Sequence, residues 1–134
     1  MILLLEKEYA KVYVEEEKDM ATVQWTKKTM LTFEEYQSVY NATLVYHKDH
    51  PTKYFIADLR DQAVMPPNYR KWFQDYVLPT AVKDGLKKAA VIFDGNVFKK
   101  YYLNHIMDTG KKFGLPIVFV SSREEAEKWF KTSK

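Results

Sequence analysis

With 134 residues, 46% hydrophobic and 16% aromatic side chains and only four glycines, the chain is built for one globular domain, which excludes a disordered or low-complexity protein. The absence of cysteine rules out a disulfide scaffold, thiolate zinc ligation and a cysteine nucleophile, and suits a reducing, cytoplasmic setting. A formal charge of +3 comes from interspersed Lys, Glu and Asp, so no nucleic-acid footprint is expected.

The opening MILLL stops at Glu6 and Lys7, too short for a signal peptide or a bilayer span, and reads as the beginning of a strand. From Tyr9 to Glu15, Tyr9, Lys11, Tyr13 and Glu15 alternate with Ala10, Val12 and Val14, as in a half-buried strand. The charged turn EEEKD leads into MATVQWT, Met20 to Thr26, a second strand that so short a connection forces to be antiparallel. Thr32 and Glu35 form a capping box that opens a helix. Phe33, Tyr36, Tyr40, Leu44 and His47 give that helix its apolar stripe, Val39 and Tyr46 fall off it, and Pro51 ends it.

KYFIADL, Lys53 to Leu59, has the composition of a strand covered on both faces. A loop with two prolines follows, then a helix starting at Pro67 or Asn68, marked by Tyr69, Trp72, Phe73, Tyr76 and Val77, in which Pro79 forces a kink or an end. Gly85 suits a left-handed stop. KKAAVIFD, Lys87 to Asp94, is a further buried strand, followed by the turn DGN and a helix from about Val97 to Phe113. Its expected inner face is Phe98, Tyr102, His105, Ile106, Thr109 and Phe113, with Leu103 and Met107 pointing away and Gly114 past its end. LPIVFVS is the last strand, and Ser122 with Glu125 forms a second capping box before a short helix packed by Ala126, Trp129 and Phe130. The order β-β-α-β-α-β-α-β-α predicts one α/β domain over residues 1–134, with a mixed five-stranded sheet and flanking helices.

In such sheets ligands bind beyond the carboxyl ends of the strands, where loops enter helix N-termini. Those ends carry Asp58, Arg60 and Asp61, then Asp94 and Asn96, then Ser121 and Ser122. Asp58 and Asp94 become neighbours if their strands pair; two close carboxylates serve acid/base chemistry or a cation, and otherwise both are turn-formers or caps. Tyr69, Trp72, Phe73 and Tyr76 supply an aromatic wall for a lipid or other apolar ligand or a second subunit, or simply core, with Asn68 a further binding candidate at the helix start. The surplus of Val39, Tyr46, Tyr101, Leu103 and Met107 beyond one stripe per helix tips this towards a binding surface. The isolated glycines fit neither a dinucleotide fingerprint nor a P-loop. His47 and His50 beside Asp49 are a weak metal set or an exposed helix end, and His105 reads as a core histidine. No serine stands in a nucleophile-elbow context, so no catalytic residue, metal or cofactor is expected.

YAKVYVEEEKDMATVQW, FIADLRDQAVMPP, WFQDYVLPTAVKDGLKKAAVIFD and SSREEAEKWF together resemble the STAS-like (sporulation anti-anti-sigma-like, STAS/SEC14-like) proteins over nearly the whole chain. The Asp58-Leu59-Arg60 strand end, Pro79 ahead of Gly85, and Ala126-x-x-Trp129 are its most specific parts. The resemblance implies a mixed sheet flanked by helices in small proteins without assigned enzymatic activity. Members that antagonise anti-sigma factors carry a phosphorylatable Ser after the third strand. Here that stretch is VMPPNYR, with no Ser or Thr between Thr52 and Thr80, leaving Tyr69 as the only hydroxyl for a kinase. Two roles follow: a regulatory or interaction module meeting a protein partner or a second copy as a homodimer, or a carrier or sensor of a small apolar or anionic ligand beside Arg60.

Overall fold

The computed structural model describes residues 1–132. Its sheet has six strands, not five, in the order β1 (Ile2–Glu6), β2 (Ala10–Glu15), β3 (Met20–Trp25), β4 (Tyr54–Asp58), β5 (Lys88–Ile92) and β6 (Ile117–Val120). The additional strand is the opening apolar run, which pairs antiparallel with β2 through a bulge at Leu4. Its connection to β2 closes with Lys7 N–H donating to the Ala10 carbonyl. No glycine, proline or asparagine marks that turn, so the sequence carries no local sign of it.

The β2–β3 hairpin is antiparallel, and β3 to β6 are parallel. Because the strands lie in chain order, right-handed crossovers place every connecting helix on the same face. There α1 (Phe33–Asp49), α2 (Pro67–Trp72), α3 (Leu78–Lys83) and α4 (Val97–Lys112) pack on Val23, Trp25, Ala57, Val91 and Ile117 to make the larger core. Only α5 (Arg123–Phe130) covers the opposite face, with Ala126 and Phe130 over Met20, Ile56, Ala90, Ile92 and Val120.

The Thr32–Glu35 capping box forms in both directions. The second box forms by half: Ser122 Oγ accepts from Glu125 N–H, but the Glu125 carboxylate takes the Ser121 hydroxyl at 2.9 Å. Pro79 does not end its helix. In an α-helix its missing N–H would leave the Asp75 carbonyl unpaired; instead Phe73–Val77 winds as a π-turn, with Leu78 N–H reaching back to the Phe73 carbonyl, and α3 continues.

The inner face of α4 differs from the expectation. Lys99, Tyr102, Leu103, Ile106 and Gly110 are buried, whereas Phe98, His105 and Phe113 are exposed. A lysine and a glycine occupy two inward positions, and a reading by hydropathy moves the stripe off them onto the phenylalanines. Val39 and Leu103, counted as surplus, are fully enclosed core residues.

Candidate ligand-binding site

At the carboxyl ends of β4 and β5 the two aspartates lie on neighbouring strands, with Asp58 opposite Ile92 in register. Each has its own partners. Asp58 Oδ1 accepts from Arg60 N–H and Nε, and its Oδ2 accepts from Arg60 Nη2 at 2.8 Å. Asp94 Oδ1 accepts from Asn96 N–H at 2.9 Å, while Lys99 Nζ and Lys28 Nζ lie 3.6 and 3.8 Å from Oδ2. The Asn96 N–H, with Lys99 and Lys28 behind it, holds the Asp94 carboxyl below its ordinary range. Asn96 in turn caps α4, its Oδ1 accepting from Phe98 and Lys99 N–H. The pair is two Asx turns, Asp58 paired with Arg60 and Asp94 flanked by Lys99 and Lys28. Asp61 is exposed beside them.

Arg60 takes the face of Asp58, which strand alternation makes the face of Ile56 and α5. The aromatic helices lie across the sheet from it. The lysine the sequence reading passed over, Lys99, sits 2% exposed and donates to the Leu59 carbonyl at 2.6 Å. Burial pushes its ammonium below the usual lysine range, against the opposing pull of Asp94.

On the helical face the larger core is not completely filled. A void of about 40 Å³ lies between sheet and helices, walled by Leu59, Tyr36, Phe73, Leu103 and Ile106, with Gln62, Met65 and Arg70 at its β4–α2 end. A second void of about 30 Å³ continues past Tyr40, Phe55, Phe73 and Leu78, which line both, towards Thr43 and His47. Either exceeds the roughly 10–15 Å³ that one water requires. The π-turn supplies Phe73 to both compartments and Val77 to the second. Polar groups are few on these walls. Burial raises the Tyr36 and Tyr40 hydroxyls well above the usual tyrosine range and the Tyr102 hydroxyl to about 12, so all three stay protonated donors at neutral pH. Thr43 Oγ1 is buried without a hydrogen-bond partner among the described residues.

The remaining expected residues take structural positions. Tyr69 donates its hydroxyl to the Leu31 carbonyl at 2.6 Å, tying α2 to the β3–α1 loop, and is buried, which removes it as an accessible kinase target. Trp72 stacks on Tyr76 and meets Phe33 and Tyr36 edge-on, and Asn68 is exposed in the first turn of α2. His47 is neither exposed nor a ligand candidate: its Nδ1 accepts from Thr52 N–H at 3.1 Å, which leaves Nε2 to donate to the Ala81 carbonyl at 2.9 Å. His50 stays exposed at the end of α1, its ring tilted against that of Tyr46 with centroids 4.8 Å apart. No group of three or more His, Asp or Glu side chains suited to a metal occurs among the described residues. No helix among them is long and apolar enough to cross a membrane.

Comparison with family models, with curated proteins and with solved structures gives no significant match. The functional reading therefore rests on the geometry above.

Proposed function

We propose that this protein is a non-catalytic, STAS-like recognition module that holds a small, largely apolar ligand between its sheet and the α1–α4 layer. The observation that carries this reading is the pair of adjoining voids, walled by Tyr40, Phe55, Phe73 and Leu78 and bordered by the π-turn. Close packing is the rule in protein interiors, and an apolar void forfeits dispersion contacts that a guest restores. At about 40 and 30 Å³ the two voids are far smaller than the roughly 150 Å³ cavity that takes benzene, so seating a guest requires the helical layer to give way around it. Single π-turns inside α-helices are frequent at functional segments. The aspartates at the strand ends, Asp58 held by Arg60 and Asp94 by the Asn96 N–H with Lys99 and Lys28 nearby, favour recognition over acid/base chemistry.

Titration with 1-octanol, followed by methyl NMR, tests the reading. Saturable shifts confined to Leu78, Leu103 and Ile106 are expected, with a guest retained by native mass spectrometry. A titration without saturable shifts at those methyls refutes it.

A second reading, as a protein-interaction module, is favoured by one surface feature. Val97, Phe98 and Tyr101 form an apolar ridge on the first turns of α4, with exposures of 71%, 71% and 70%. Exposed apolar clusters of this kind are typical of contact surfaces. Sedimentation of wild type against Phe98→Ser/Tyr101→Ser separates self-association from a monomer.

A further inference from the structure

The larger void carries one cation and no carboxylate. Arg70 lines it from α2, half-buried, with its guanidinium 4.7 Å above the centre of the Tyr102 ring. Its Nε donates to the Met65 carbonyl at 3.0 Å. Neither Nη group has a hydrogen-bond or ion-pair partner among the described residues, in contrast to Arg60 and Arg123, which are both paired with carboxylates. The bond at Nε and the contact with the Tyr102 ring anchor the guanidinium and leave both Nη groups free to donate. Beside it Gln62, also buried, has its Oε1 3.4 Å from the Tyr102 hydroxyl.

A planar fork with two free donors matches a carboxylate bidentately. Behind that fork the walls are aromatic and aliphatic. We propose that the ligand is a small monocarboxylate with an apolar tail: the carboxylate meets Arg70 at the mouth, and the tail lies along Tyr40, Phe73 and Leu103. This rests on the reading of the voids as a ligand site and adds the chemical class of the ligand. It also moves the anion-binding arginine from Arg60, whose fork Asp58 already fills, to Arg70.

The test compares octanoate, 1-octanol and octylamine, chains of equal length with an anionic, a neutral and a cationic head, by NMR titration below micellar concentrations at neutral pH. Octanoate is expected to bind about tenfold or more tighter than octanol, the gain typical of a charge-assisted hydrogen-bonded pair, and octylamine weakest. Arg70→Gln is expected to abolish the preference of octanoate over octanol. The wild-type comparison needs no variant and so stands even if Arg70→Gln misfolds. Equal binding of octanoate and octanol, or an octanoate preference that survives in a folded Arg70→Gln protein, overturns the carboxylate assignment and leaves the cavity reading intact. Failure of all three to bind overturns both.

Discussion

Lys99, 2% exposed, donates to the Leu59 carbonyl and faces Asp94 at 3.6 Å, and its enclosure carries a desolvation cost. Its burial lowers the ammonium pKa from 10.5, so folding disfavours the charged form. That penalty is in full force below the folded pKa and fades as pH rises through it towards 10.5. The groups that Lys99 serves are not orphaned without it. The Leu59 carbonyl also accepts from Gln62 N–H at 3.1 Å, and Asp94 keeps the Asn96 N–H and Lys28. Lys99→Met, which retains the apolar stem, is therefore expected to unfold in urea within about 1 kcal/mol of wild type or above it at pH 7. Lys99→Ala leaves a hole and is expected to lose about 2–3 kcal/mol. A loss of several kcal/mol in the Met variant would instead show that the ammonium itself holds the β4 end in place.

At the scale of elements, the contact between α4 and β6 turns on Gly110. A Cβ placed there would stand 2.6 Å from Ile117 Cδ1 and 2.8 Å from the Leu115 carbonyl oxygen, and the latter is backbone that cannot swing aside. In an exposed helix Gly→Ala stabilises by about 1 kcal/mol. Here Gly110→Ala is expected to reverse that sign and cost about 1–3 kcal/mol, read from denaturant midpoints. The same helix shows where the sequence was legible and where it was not. Alternation in β2, the Thr32–Glu35 cap and the left-handed glycines Gly85 and Gly114 were readable because each is a local rule with a local cause. The inner face of α4 was not, because Lys99 is buried by a bond to β4, 40 residues away in sequence, and Gly110 by a clash that exists only once β6 is in place. The site divides the same way. The strand ends and their aspartates were visible in the sequence, whereas the voids arise from the mutual packing of α1, the π-turn and α4, and Arg70 resembles any surface arginine until its fork is seen to lack a carboxylate.

For the molecule as a whole, the tyrosines clustered around the larger void set its limit in alkali. Tyr36, Tyr40 and Tyr102 are all enclosed by the main core, and burial raises each above the ordinary value of 10.0, Tyr102 to about 12. Above pH 10 the unfolded chain releases these protons while the folded chain keeps them. The folded state then binds more protons, and stability must fall as pH rises. Each group steepens the fall by about 1.4 kcal/mol per pH unit, so three together remove about 4 kcal/mol per unit, enough to exhaust a typical margin of roughly 5–15 kcal/mol within a few units. Arg70, facing Tyr36 and Tyr102, eases their ionisation, and the relief of Lys99 acts in the stabilising direction but is complete by about pH 10.5. The expected result is a cooperative alkaline transition in which tyrosinate absorbance from the buried rings rises together with loss of circular dichroism. Tyr102→Phe should make the decline with pH shallower. If all ten tyrosines instead ionised near pH 10 with the fold intact, the enclosure of these three phenols, and with it the apolar character of the void they border, would be refuted.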